Sequence, residues 1–405
     1  MRLDGETPID FSGLLSFFED HLNQQVLPFW LQNSIDREHG GINNCIQDDG
    51  TVVSTDKFLW SQGRALWLFS VLYRKHDGDP KWLELAHPIA RMLCRSGRNE
   101  AGDWYFSLHA DGTPAMAPQS LYVDGFCIYG LAEYARATGD KEALQVALEA
   151  FEHASPKLED HSSFPTLPHP IPEGFQAHGP LMLFALVFHD LGVTSGNERV
   201  LNRALELAER VMTEHLRPER QILFEFVRPG GQLDESDVGQ TFIPGHVIES
   251  MWFMERIYRH HGRRDRVQLA MEAIRWHLEQ GWDSEFGGLP LACHASGGPP
   301  AWHSPEAKIW WPHTESLQAL LLAYFVTREP WALEWYRKVH QYAFTHFPNR
   351  EHGEWFHNLD RTGKPMSPYL KTLPVKDPFH LPRALVYSIQ ILRQLADASN
   401  EETPV

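Results

Sequence analysis

The chain has 405 residues, with 36 Lys and Arg against 53 Asp and Glu, and the resulting net charge of −17 argues against nucleic acid or an anionic membrane as partner. Its longest wholly apolar runs, Leu181 to Phe188 and Ala319 to Val326, are too short to span a bilayer, which needs about 20 residues. Four cysteines (Cys45, Cys94, Cys127, Cys293) lack metal or redox spacing, and Met1 to Glu6 lacks the basic and apolar regions of a signal peptide, so a reducing cytoplasm is the expected home.

Apolar periodicity predicts helices at 11–33, 57–76, 80–96, 120–138, 141–155, 176–192, 197–215, 245–262, 264–280, 313–328, 330–346 and 380–397. Between the first and second helix of each pair runs a polar turn, as in Asp36 to Gly41 or Asp283 to Gly288, and then two short strand-like runs. Those runs are joined at Gly50, Gly112, Gly231, Gly297 and Gly363, which are hairpin signals. The glycines are spaced by 62, 119, 66 and 66 residues, and 119 is close to two periods, with a degenerate copy near position 171. Six repeats therefore fill the chain. No Pro/Ser-rich linker or charge block interrupts them, so residues 1–405 are expected to form a single domain.

The long loop always joins the first helix of a pair to the second, and the link to the next repeat is short. All six long loops then lie at one end. Six such pairs suit an all-α closed double ring, with short β-hairpins over one mouth and the second helices inside. The N-termini of the inner helices would point into one cavity, where they favour developing negative charge.

Counted from the turn glycine of its own repeat, Arg64 lies at +14, His246 at +15, His313 at +16 and His380 at +17. The similar phase is read as convergence on that cavity. The strongest local motif is Pro244-Gly245-His246-Val247-Ile248-Glu249-Ser250, in which His246 and Glu249 share a helical face. A second, Lys376-Asp377-Pro378-Phe379-His380-Leu381-Pro382-Arg383, brackets a histidine with prolines and adds Arg383 three residues on. A third, Lys308-Ile309-Trp310-Trp311-Pro312-His313-Thr314-Glu315, offers Glu315 as an inward carboxylate, with Trp311 as cavity wall or core and Lys308 as a further substrate contact.

Arg64 sits on an apolar inner helix, where an unpaired cation is costly, so a carboxylate partner or an anionic ligand atom is expected beside it. Tyr122 and Asp124 occupy an equivalent helix start, where cavity lining and core packing are both open. The 14 tryptophans suit sugar stacking as well as a helix-barrel core. The chain has no pair of histidines four apart with a Glu between them, so no metal is expected.

These motifs, together with Lys57 to Arg64 and Gly353-Glu354-Trp355-Phe356, make the chain resemble the N-acylglucosamine 2-epimerase family over nearly its full length. The family includes renin-binding protein, cellobiose 2-epimerase and sugar aldose–ketose isomerase relatives. The resemblance implies an (α/α)6 barrel, acid/base histidines at His246 and His380, and substrate or orienting roles for Arg64, Glu249 and Glu315. A homodimer is implied in the same way and by nothing else. No cofactor is called for, and ATP as an activator finds no G-x-x-x-x-G-K loop in the sequence.

The chemistry is consistent with that resemblance. Inverting a sugar at C2 requires the open-chain aldehyde, removal of the proton alpha to it, and delivery of a proton to the other face. Two imidazoles can do this near neutral pH, and Arg64 with the helix N-termini can stabilise the enediolate oxygen. In the cellobiose and aldose–ketose branches a further active-site histidine lies on the inner helix of the third repeat. Alignment through Ala177 to Met182 puts Met182 there, with His178 as a nearby substitute. This favours an N-acylhexosamine or a simple hexose as substrate. The rivals are an aldose–ketose isomerase using the same site, a two-carboxylate glycoside hydrolase, and a sugar- or protein-binding barrel without catalysis.

Overall fold

Two kinds of helix alternate along the chain, and where their apolar residues fall decides which kind lies inside. A computed structural model describes residues 3, 8–160, 164–367 and 375–401; of the Met1 to Glu6 segment only Leu3 is among them. In chain order the helices are α1 (Phe11–His21), running through a π turn into α2 (Leu27–Asn33), then α3 (Leu59–Lys75), α4 (Lys81–Ser96), α5 (Leu121–Thr138) and α6 (Lys141–Ala154). After these come α7 (His178–Ser195), α8 (Glu198–Arg210), α9 (Pro244–His260), α10 (Arg264–Gly281), α11 (Trp310–Thr327), α12 (Pro330–His346) and α13 (His380–Glu401). With α1 and α2 counted as one rod, all twelve expected segments are helical.

Helix α8 buries only Val200, Leu201, Ala204, Leu207 and Ala208, a single stripe, so it lies outside. Helix α7 buries every residue from His178 to Gly192 and lies inside. Helices α3, α5, α7, α9, α11 and α13 each pack on the next, and α13 returns to α3, which closes an (α/α)6 double ring. The closest approach is between α3 and α5. A Cβ added to Gly63 would meet the Phe126 carbonyl at 2.4 Å, and one on Gly130 would meet that of Gly63 at 2.3 Å, so only glycine fits there.

The long loops do collect at the N-terminal mouth of the inner ring. Gly50, Gly112, Gly231, Gly297 and Gly363 all have φ between +76° and +86°, and each donates its N–H to the carbonyl three residues back at 3.0–3.1 Å. Strands pair across Gly50 and Gly112, and single bridges do so across Gly231 and Gly363. At Gly297 the expected hairpin is replaced: Cys293–His294 pairs with Thr241–Phe242 of the preceding repeat. That pairing belongs to a general rule. The short strand entering an inner helix pairs with the loop of the following repeat, as in Lys57–Phe58 with Ser107–Leu108, Gln176–Ala177 with Phe226–Val227, and Lys308–Ile309 with Asn358–Leu359. Val375 bridging to Cys45 closes the collar. The loop backbones thus find hydrogen bonds outside their own repeat.

Two expected cavity residues serve this collar instead. Lys308 is fully buried and its ammonium binds Asp283 at 3.1 Å and the Gly287 carbonyl, the same role Lys57 has toward Asp36 at 2.7 Å. It points away from the cavity because neighbouring residues of a strand face opposite ways, and Ile309 takes the cavity side. His313 is also buried. Its Nε2 accepts from the Leu289 N–H at 3.0 Å and its Nδ1 donates to the Ile309 carbonyl at 2.8 Å. In the first repeat Gln62 makes the matching bond, its Oε1 accepting from the Ile42 N–H at 3.0 Å.

Burial lowers His313 to about 3 from 6.5. The unfolded chain therefore binds this proton first, and the stability His313 contributes is full above pH 6.5 and lost as the pH falls toward 3. His21 and His277 at about 4 and His340 at about 3 act in the same direction. Asp124, raised to about 7 by burial, opposes them, since its protonated folded form gains stability as the pH falls. His313→Gln is expected to preserve the fold and to remove roughly 3 kcal/mol of the loss at about pH 4. Urea midpoints of both proteins at about pH 7.5 and pH 4 check this; equal losses would rule His313 out as a contributor.

Candidate active site

The inner helix N-termini and the collar enclose a cavity of ≈ 290 Å³. Arg64, Tyr122, His246, Glu249, Trp311, His380 and Arg383 all line it, although they come from α3, α5, α9, α11 and α13. Glu315 lies one layer behind, fully buried. Of the residues expected at the cavity, Lys308 and His313 are directed to the collar instead.

His246 stands in the first turn of α9, where Gly245 lets the helix meet α11. A Cβ on Gly245 would come within 2.7 Å of both Pro312 and the Trp311 ring. The Trp311 indole in turn sits between the two histidines, its centroid 5.1 Å from that of His246 and 5.7 Å from that of His380. His246 Nδ1 is 3.1 Å from the carboxylate of Glu225. Burial opposes a charge on His246, but Glu225 overrides it and raises the pKa above its ordinary value. Burial alone would raise Glu225 as well; His246 and His178 instead hold it well below the usual carboxylate range.

His380 begins α13 and lies in a different field. Its Nδ1 is 2.8 Å from Glu315 Oε1. The same oxygen accepts from Arg383 at 2.7 Å, and Trp252 donates to the other Glu315 oxygen at 2.9 Å. Arg383 also binds Glu249. Glu315 is thus an ionised acceptor, so Nδ1 of His380 is the donor and a neutral ring keeps its lone pair on Nε2. Burial pushes His380 well below its ordinary pKa; Glu249 resists, and the cations of Arg64 and Arg383 reinforce the drop. The two imidazoles on one cavity are therefore biased in opposite directions.

Arg64 has the partner expected of a cation on an apolar helix. Its guanidinium reaches Asp377 Oδ2 at 3.2 Å and packs over Phe126 at 4.0 Å, while Ser61 donates to the same oxygen at 2.9 Å. Among the described residues two groups of ligating atoms lie close enough to hold a cation: His178, Glu225 and His246, and Glu249, Glu315 and His380. In the second, the Arg383 guanidinium already occupies the position between the carboxylates. His178 does not reach the cavity as a substitute for Met182. It is buried behind His246, with Nε2 3.0 Å from Ser250 Oγ, and Met182 lines the wall.

Glu225 was absent from the sequence reading. Its signal was a lone acid inside the apolar run Ile222-Leu223-Phe224-Glu225-Phe226-Val227. The collar places it: His178 N–H donates to the Glu225 carbonyl at 2.9 Å, which hangs the carboxylate over α7 and α9. Asp377, Trp252 and Ser250 also gain their roles only from the fold, although Ser250 lies in the run 244–250 and Asp377 in the run 376–383.

The N-acylglucosamine 2-epimerase family model matches residues 40–381. The chain belongs to that family. It is 32% identical to the N-acylglucosamine 2-epimerase of Bos taurus over 383 residues, covering 92% of this chain and 89% of the relative. It is 27% identical to the cellobiose 2-epimerase of Bacteroides fragilis, covering 85% and 91%. The structure of cellobiose 2-epimerase from Spirochaeta thermophila superposes with a TM-score of 0.79 at 24% identity, covering 95% of this chain and 98% of that one. As a member of the N-acylglucosamine 2-epimerase family, the protein is a carbohydrate epimerase of the isomerase class, acting on small sugars. No helix among the described residues is long and apolar enough to cross a membrane.

Replacing Glu225 with Gln removes the carboxylate that holds His246 up while preserving its shape. The His246 pKa is expected to fall, read from imidazole resonances in an NMR pH titration. An unchanged titration would exclude Glu225 as the cause.

Proposed function

We propose that this member of the N-acylglucosamine 2-epimerase family inverts C2 of an N-acylhexosamine, interconverting the N-acetylglucosamine and N-acetylmannosamine configurations. The observation that carries the reading is the opposite bias of His246 and His380 across one cavity. A pair of titratable groups pushed apart in this way is already divided into acid and base.

With the sugar in its open-chain form, neutral His380 takes the C2 proton through Nε2, and the C2–H electron pair moves into the C1–C2 bond, giving an enolate with its charge on O1 and the acylamino nitrogen still on C2. Protonated His246 then delivers its proton to the opposite face of C2, restoring the aldehyde with inverted configuration. The enolate oxygen needs a donor that strengthens as charge develops, and Arg64, held by Asp377, supplies it. Trp311 spans the space between the imidazoles and offers a stacking face to the sugar.

The choice of an N-acyl sugar rests on the third-repeat helix. Met182, Leu183 and Leu186 of α7 turn an apolar wall to the cavity, together with Phe253 from α9. Such a wall suits an acetyl methyl better than a ring of hydroxyls.

In D2O with N-acetyl-D-mannosamine, proton NMR is expected to show deuterium at C2 of the new epimer before any appears in recovered substrate, the mark of two separate proton carriers. His246→Ala and His380→Ala should each lower turnover about 10²- to 10⁴-fold. D-Mannose, D-glucose and cellobiose run in parallel test the sugar, and a ketose product would mean that the proton returns to C1. Wild-type turnover in either variant would sink the two-histidine assignment.

A further inference from the structure

The opposite mouth of the barrel, where the inner helices end, holds a second cavity of ≈ 280 Å³ built from the C-terminal halves of α3, α9, α11 and α13. Its charges do not balance. Among the described residues Arg74 pairs with Glu133 at 2.7 Å, Arg256 with Asp190 at 3.0 Å, and Arg259 with Glu255 at 2.8 Å. Lys75 is left with no carboxylate; its ammonium has only the Gln390 amide oxygen at 3.4 Å and the Tyr387 ring at 5.1 Å. Burial, with Arg256 and Arg74 nearby, lowers its pKa to about 8 against the weaker pull of Glu133 and Asp190, whose carboxylates are paired with Arg74 and Arg256. A chain of net charge −17 thus keeps a hollow with one uncompensated cation.

Cations at helix C-termini complement the helix dipole, which accounts for positive charge at this mouth. It does not account for Gln318. That side chain is 2% exposed, lines the cavity, and its amide oxygen has no hydrogen-bond partner. A buried carboxamide left unpaired costs about 1–3 kcal/mol, and the partner its oxygen lacks is a hydrogen-bond donor. Opposite these groups the wall is apolar, formed by Leu322, Phe325, Val326 and Ile391.

We propose that this cavity is a second binding site, separate from the catalytic one, for a small carboxylate with an apolar body. Lys75 takes the carboxylate, Gln318 bonds a polar edge, and the apolar body lies on Leu322 and Phe325. The site adjoins the catalytic layer through one residue. Trp252 lines it and also donates to Glu315, the carboxylate that orients His380. A ligand here would be felt at His380.

Benzoate is a suitable probe, with benzamide as its uncharged counterpart, titrated calorimetrically into wild type, Lys75→Met and Gln318→Leu with and without saturating N-acetyl-D-mannosamine. Benzoate is expected to bind wild type at least 10-fold more tightly than benzamide, to lose at least 10-fold in Lys75→Met, to change little in Gln318→Leu because it has no donor for the amide oxygen, and not to be displaced by the sugar; 4-hydroxybenzoate, which has such a donor, is expected to lose affinity in both variants. Lys75→Met should retain its thermal midpoint and its turnover of sugar, which separates loss of the site from loss of the fold. Equal affinity for wild type and Lys75→Met, displacement by the sugar, or no binding at millimolar benzoate would each overturn the proposal.

Discussion

Arg383 is the charge on which the catalytic layer depends. It is 1% exposed and sits between Glu249 and Glu315. Two buried carboxylates beside an imidazole would ordinarily pull a proton onto it. The guanidinium claims both, shares the very Glu315 oxygen that accepts from His380, and leaves the ring oriented but uncharged. The aromatic faces around it, Phe379 at 4.4 Å and Trp252 at 5.1 Å, hold the cation at little cost in hydration. Breaking such a buried pair from one side costs about 3–5 kcal/mol because the remaining charges lose their partner. Stability and acid–base bias therefore rest on the same guanidinium.

His246 is governed by the reverse arrangement. Among the described residues Glu225 has no arginine on it, only the two histidines, so its charge is directed at His246. The difference lies in the elements that carry the carboxylates. Glu249 and Glu315 stand on inner helices, within reach of a third helix that can supply Arg383. Glu225 hangs from the collar, held by the pairing of Gln176–Ala177 with Phe226–Val227, and the helix beneath it offers His178 rather than a cation. The collar is thus part of the electrostatics of the site as well as its cover.

That distinction also explains what could be read from the chain. The helices were legible because amphipathic stripes on α8 and unbroken apolar turns on α7 are local patterns. His246, His380 and Arg383 were legible because Pro and Gly brackets mark helix starts, and helix starts face the cavity. Counting residues from the turn glycines was a weaker guide: a helix turns about 100° per residue, so offsets from +14 to +17 sweep most of a circle. Within that spread His246 and His380 face the cavity and His313 faces the collar. Lys308 was misread because a two-residue strand gives no pattern from which to tell one face from the other. Glu225 was missed because nothing near it in sequence announces its partner; the contact exists only once one repeat has paired with the next.

The opposed bias has a cost that the proposed reaction must meet. One turnover leaves His380 charged and His246 neutral, each in the state its surroundings disfavour. The enzyme cannot change the equilibrium between two free epimers, so this uphill arrangement must be undone before the same epimer can react again. Two routes exist: the opposite epimer can enter and run the reaction backwards, or water can carry the proton from one ring to the other. The first needs no solvent and the second needs the cavity open between turnovers. His380 is only 8% exposed whereas the side chain of His246 is 23% exposed, so a water-borne reset would begin with easy reprotonation of His246 and wait on His380. The neutral preference that makes His380 a ready base also drives the proton off it, which turns the same burial from an obstacle to access into the force that restores the starting state.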